Sequence, residues 1–187
     1  MQEKNNYISA MTTEIQSRLD YALSKHSKVM VVRYDLAFPS DILYDGHGMF
    51  IRSFLNKLRQ NLRRRDLDPI DLWVREQNSS INPHFHCVVL LNGNKVQRLY
   101  AVLPLIERLW ASTIGDYRPG LVHYCLTNYD GSKSINGCRL TRHDKELYAQ
   151  CQDWLNYMAK AYSKGNAPPH MREYGGSRLT RLQNENL

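Results

Sequence analysis

The sequence predicts an α+β fold, an antiparallel sheet of βαββαβ order with helices on one face. Three observations carry that expectation. Some segments space their apolar residues with helical period, and others form short β-branched runs. The two patterns alternate as α-β-α-β-β-α-β, closed by a further helix. The second and third strands are separated by so short a polar stretch that antiparallel pairing is expected.

Taken in order, Ile8, Met11, Ile15, Leu19, Ala22 and Leu23 mark an amphipathic helix from Ile8 to about Lys25. Val29 to Leu36 follows as a buried strand, ended by Pro39 and Asp45-Gly46-His47-Gly48. Met49 to Arg65 returns to helical period and buries Phe50, Phe54, Leu55 and Leu58. The second strand, Ile70 to Gln77, and the third, His84 to Leu91, flank Asn78–Pro83. A helix from about Lys95 to Ser112, with Pro104 as a candidate bend, leads to a fourth strand over Leu121–Asn128. Asp130-Gly131 and Asn136-Gly137 mark turns, and the last helix spans about Asp144 to Lys164, stopped by Gly165 and Pro168-Pro169. Residues 1–27 thus form an N-terminal helix on the core, 28–165 the main domain, and 166–187 a basic, loosely held tail. One sheet face is left free, and a site is expected there.

A length of 187 residues with 42% hydrophobic content supports one core. No run approaches the roughly 18 apolar residues of a membrane span, and the opening Met1–Asn6 lacks a secretion signal. No membrane partner and a cytoplasmic location are expected. Cys87, Cys125, Cys138 and Cys151 are too widely spaced for a CxxC pair and read as reduced, mostly buried thiols. An excess of 25 Lys and Arg over 18 Asp and Glu gives +7, which makes nucleic acid the leading partner.

His84-Phe85-His86 places two imidazoles on one face of the third strand. Glu76 falls nearly opposite His84, because the two bracket a connection centred on Ser80. One carboxylate and two imidazoles suit a divalent cation such as Mg²⁺ or Mn²⁺ with positions open for phosphate oxygens, and zinc also suits them. On the last helix, Lys160 and Lys164 follow Tyr157 by three and seven residues and so share its face. Their ammonium groups would favour a phenolate and hold a phosphate. Each motif has a plainer reading as hydrogen-bonded filling or as a packed tyrosine beside solvated lysines; their order along the chain separates the readings.

In that order the sequence resembles the HUH endonucleases. Pro83–Asn92, Tyr157-Met158-Ala159-Lys160 and Gly175-Gly176-Ser177-Arg178 are similar to the inovirus-type replication initiation proteins of phages, prophages and satellites. The similarity runs from about Val29 to Arg178. It implies an RRM-like catalytic domain with a tyrosine-bearing C-terminal helix. One divalent cation, Mg²⁺ or Mn²⁺, would be held by Glu76, His84 and His86. Tyr157 would be the nucleophile, leaving a 5′-phosphotyrosine link that lets strands be rejoined in rolling-circle fashion. Lys160 would bind the phosphate. The substrate would be single-stranded or hairpin origin DNA, with a separate helicase and host replication machinery as partners.

Arg59, Arg63, Arg64 and Arg65 end the second helix in a basic cluster that, with Lys164 and Arg178, is expected to contact DNA. Tyr162 lies roughly 140° round the helix from Tyr157 and is not its equivalent. Trp73, Tyr34 and Tyr124 read as core, and His47 and His123 as ordinary histidines. An HUH transposase or relaxase-like nickase shares the same chemistry. A non-catalytic DNA-binding regulator on the same fold is the alternative from another class. A structural zinc domain is disfavoured, since closed sites usually take four ligands.

Overall fold

Among the described residues, apolar spacing and β-branched runs yield four α-helices, Ser9–Lys25 (α1), His47–Arg64 (α2), Leu103–Ile114 (α3) and Lys145–Asn156 (α4), in the computed structural model. The strands are Lys28–Leu36 (β1), Ile70–Glu76 (β2), His84–Asn92 (β3), Val122–His123 (β4), Arg139–Thr141 (β5) and Tyr174–Gly176 (β6). The structure describes residues 7–77, 79–128, 130–161, 164–165 and 167–180. Tyr162 and the end of the expected tail, 181–187, lie outside them.

The six strands form one antiparallel sheet of order β4-β1-β3-β2-β6, with β5 also on β1. The expected α+β class is observed. The expectation of helices on one face only is corrected. Met30, Val32, Tyr34, Phe85, Cys87 and Val89 meet α2 and α3 on one face, against Phe54, Leu58, Ile106 and Trp110. Val29, Val31, Leu72, Val74, Val88 and Leu90 meet α1 and α4 on the other, against Met11, Ile15, Leu19, Cys151 and Leu155. The reason lies in β1 and β3, which are apolar at both parities for most of their length. A side chain such as Val or Leu gains about 1.5–3 kcal/mol by leaving water, so neither face can stay bare.

Three local departures shape the site. The expected fourth strand stops at His123, because Cys125 adopts a left-handed φ of 48° and the chain leaves the sheet. Asn136 bridges the resulting gap beside β1. Its side-chain amide donates to the Arg33 and Tyr124 carbonyls at 2.7 and 2.5 Å, and its oxygen accepts from the Arg33 N–H at 2.8 Å. Gly137 then donates to the Val31 carbonyl, and β5 resumes the pairing.

The last helix is shorter than its spacing predicts. α4 ends at Asn156, Tyr157–Ala159 forms a 3₁₀ turn, and Lys160 is extended. Tertiary contacts override the helical pattern here: the Ile8 N–H donates to the Ala159 carbonyl at 2.9 Å, and Met158 and Ala159 are buried in the second core. Pro104 does not bend a helix; it sits in the first turn of α3, where a missing N–H costs nothing.

Part of the expected loose tail is a strand. β6 pairs with β2, and Ser177 is tied on both sides to Asp71: its N–H donates to the Asp71 carbonyl at 3.1 Å, and its hydroxyl accepts from the Asp71 N–H at 3.0 Å. The buried Arg18 donates through Nε to the same carbonyl at 2.9 Å. A Cβ on Gly176 would strike that carbonyl and the Arg18 guanidinium, so only glycine lets β6 close.

Candidate active site

Side chains alternate across a strand, so Arg33 and Asp35 of β1, Glu76 of β2 and His84 and His86 of β3 reach the second face just where the apolar residues there run out. Arg33 and Asp35 continue the Val29, Val31 row of β1, Glu76 continues Leu72 and Val74, and His84 and His86 precede Val88. The register pairs Glu76 with His84, as the short connection predicts, and lines up His123, Asp35 and His86 across β4, β1 and β3. Directly opposite residues stand about 4.5–5.5 Å apart on one face.

The predicted ligands share this face, but only Glu76 and His86 meet through their side chains, in a hydrogen-bonded chain that Asp35 completes. His86 is buried; its Nδ1 lies 2.8 Å from Asp35 Oδ1, and its Nε2 contacts Glu76 Oε2. His84 is half-buried, with its ring perpendicular to that of His86 and the centroids 6.0 Å apart. Burial alone would depress His86, yet the bonds and charges of Asp35 and Glu76 outweigh it and raise its pKa. Burial first, and the neighbouring His86 second, lower the pKa of His84.

These opposite shifts have opposite consequences for stability in chelator. Because the folded pKa of His86 is raised, its contribution is complete below the ordinary value of about 6.5 and is lost as pH climbs through the raised one. For His84 the sign reverses: its burial is unfavourable at low pH, and that penalty fades as pH rises toward about 6.5. Thermal unfolding across this range should therefore show a descending limb on the alkaline side that disappears in His86→Gln. An unchanged limb in that variant would remove His86 as its source.

Tyr157 stands over the row. The residue is 44% exposed, and its ring meets His86 edge-on at 6.5 Å between centroids. Lys160 Nζ lies over the Tyr157 ring, 4.1 Å from its centroid. Arg33, buried on β1, places its guanidinium 5.1 Å from the Tyr157 ring and 5.2 Å from that of Trp154. Two cations thus flank the phenol. Lys164 is corrected from a surface DNA contact on the tyrosine's helical face: its side chain is 2% exposed, and Nζ lies 3.5 Å from Glu76 Oε2. Burial lowers its pKa, against the opposing pull of Glu76.

The arginines divide. Arg59 directs Nε and Nη2 to the buried Asp71 carboxylate at 2.6 and 2.8 Å, so its fork serves an internal ion pair. Arg63, Arg64 and Arg65 are exposed at the end of α2, and Arg178 is exposed beyond β6. Arg63 and Arg178 line a cavity of about 250 Å³ with Asn56 and Gln60. It adjoins a cavity of about 740 Å³ lined by Arg52, Trp73 and Arg172. Both flank α2, on the first face of the sheet, whereas Tyr157 overlies the second.

Sequence reasoning passed over Arg33, Asp35 and Cys125 and set His123 aside as ordinary. Asp35 Oδ2 lies 3.8 Å from His123 Nδ1, and Cys125 Sγ lies 3.6 Å from the same nitrogen. A signal for two of these was present: Arg33 and Asp35 are charged residues at alternate positions in the otherwise apolar run Val29–Leu36.

The chain belongs to the family described as the YagK/YfjJ C-terminal domain, whose model matches residues 1–177. Comparison with curated proteins and with solved structures returned no match. Among the described residues, no helix is long and apolar enough to cross a membrane.

Proposed function

We propose that this chain is a metal-dependent endonuclease of the HUH tyrosine type, a replication initiator that nicks and rejoins single-stranded or hairpin origin DNA. The carrying observation is the meeting of Tyr157 with His86, flanked by Arg33 and Lys160. The topology supports the reading. β3 lies between β1 and β2, and β1 lies between β3 and β4, so two βαβ units are each split by a strand of the other, as in a ferredoxin-like or RRM-like sheet.

By donor type, one carboxylate and two imidazoles suit a divalent cation, and in this structure Glu76 and His86 contact each other directly. Asp35 holds His86 at Nδ1 and aims Nε2 at Glu76, the orientation that carboxylates commonly impose on ligating histidines. Glu76, His84 and His86 would hold Mg²⁺ or Mn²⁺, which when bound supplies a Lewis acid for a phosphate oxygen. Tyr157 Oη forms the new bond to phosphorus as the bond from phosphorus to the 3′ oxygen breaks. The phenol gives up its proton and the departing 3′ oxygen gains one. One phosphodiester replaces another, so a 3′-hydroxyl can later reverse the exchange without ATP. Arg33 and Lys160 set a positive potential around the phenol and the entering phosphate. Arg63, Arg64, Arg65 and Arg178, across the sheet, grip flanking duplex through its phosphates.

The test is incubation of the protein with labelled single-stranded and hairpin DNA in Mn²⁺ or in chelator, resolved under denaturing conditions. A label that stays with the protein in Mn²⁺ and is absent in chelator is expected. Tight DNA binding without any adduct would replace the nuclease by a DNA-binding regulator on the same fold.

A further inference from the structure

We propose that Asp35, His123 and Cys125 form a second metal site, distinct from Glu76, His84 and His86, that takes a borderline, thiolate-binding cation such as Zn²⁺. The inference does not depend on the nuclease reading, because it stands on the geometry of these three side chains alone. Their donor atoms all lie within 4.8 Å of one another.

The spacing is within a few tenths of an ångström of a tetrahedral ion's for the two measured pairs. Ligands about 2.0–2.3 Å from one centre at tetrahedral angles stand roughly 3.3–3.6 Å from each other. Cys125 Sγ and His123 Nδ1 are 3.6 Å apart, and His123 Nδ1 and Asp35 Oδ2 are 3.8 Å apart. The backbone is bent to achieve this. In an extended strand, residues two apart are separated by about 6.6 Å. The left-handed φ of 48° at Cys125 turns the chain where β4 ends and leaves the thiol beside the imidazole.

The donor types narrow the ion. One sulfur, one nitrogen and one oxygen suit Zn²⁺, while Mg²⁺ prefers oxygen alone. Cys125 is buried and Asp35 largely so, but the His123 side chain is 69% exposed, which gives an ion access. Three protein ligands leave a fourth position for water or a phosphate oxygen. Asp35 links the two sites, offering Oδ2 here while Oδ1 holds His86. An ion at the second site would therefore fix the carboxylate that orients His86.

Cobalt titration of the full chain tests this, since a thiolate ligand gives Co²⁺ a near-ultraviolet charge-transfer band that oxygen and nitrogen ligands do not. The wild-type protein is expected to show the band, to lose it when Zn²⁺ is added, and to retain it in His84→Ala. Cys125→Ser should abolish it. His123→Ala removes an exposed side chain with little risk to folding and should weaken Co²⁺ binding at least about tenfold, the cost of losing even an outer-shell partner. Absence of the band from the wild type, its survival in Cys125→Ser, or unchanged affinity in His123→Ala would each overturn the site. The readout is spectroscopic, so a failure here leaves the nicking assay to be judged separately.

Discussion

Tyr157→Phe is expected to abolish the covalent DNA adduct and slow strand cleavage by at least about 10³-fold, the scale of loss when a covalent nucleophile is removed. DNA affinity and stability should stay close to wild type, within about 0.5 kcal/mol for an exposed side chain whose packing is kept. Phenylalanine preserves the ring that lies against Arg33, Lys160 and His86, so only the nucleophilic oxygen is lost. The companion variant is better placed at His84 than at His86. Removing His86 strips Asp35 and Glu76 of a shared partner and leaves carboxylates in a largely buried place, which harms folding as well as chemistry. His84→Ala removes a half-buried ring at the rim of the cluster and should weaken metal-supported cleavage more than DNA binding. Cleavage by Tyr157→Phe at the wild-type rate would take Tyr157 out of the mechanism.

How much of this site was legible follows from which interactions are local. The pairing of Glu76 with His84 was, because a short connection fixes register and side-chain parity together. The path of Tyr157–Lys160 was not. Its helical spacing is real, but the contact between Ile8 and Ala159 that ends the helix comes from the far end of the chain. The covered second face is a similar case. From Val29 through Tyr34 both parities of β1 are apolar except at Arg33, a pattern that already argued against a bare face. Gly175-Gly176-Ser177 looked like a flexible tail because glycine has that meaning in isolation. Beside Asp71 and Arg18, the glycine at 176 is instead what lets the chain approach β2.

Asp71→Ala is expected to lower stability by about 3–5 kcal/mol, the usual result of leaving one partner of a buried pair without its counter-charge. The Asp71 side chain is 1% exposed, and its carboxylate receives both bonds of the Arg59 fork, tying β2 to α2. Burial would depress the Arg59 pKa, but the bonds and charge of Asp71 raise it instead, consistent with a guanidinium held for this pair. Arg59→Ala leaves the complementary defect, an unpartnered carboxylate between strand and helix. The double variant should cost less than the sum of the two, by up to about 3 kcal/mol, because the second removal relieves the first. Urea unfolding of the wild type and the three variants measures that coupling. DNA binding supplies the contrast: Arg63→Ala should weaken it and flatten its salt dependence at almost no cost in stability, since that side chain is exposed. If instead Arg59→Ala keeps its unfolding midpoint and loses DNA affinity, the guanidinium belongs to the nucleic acid and the ion pair with Asp71 is incidental.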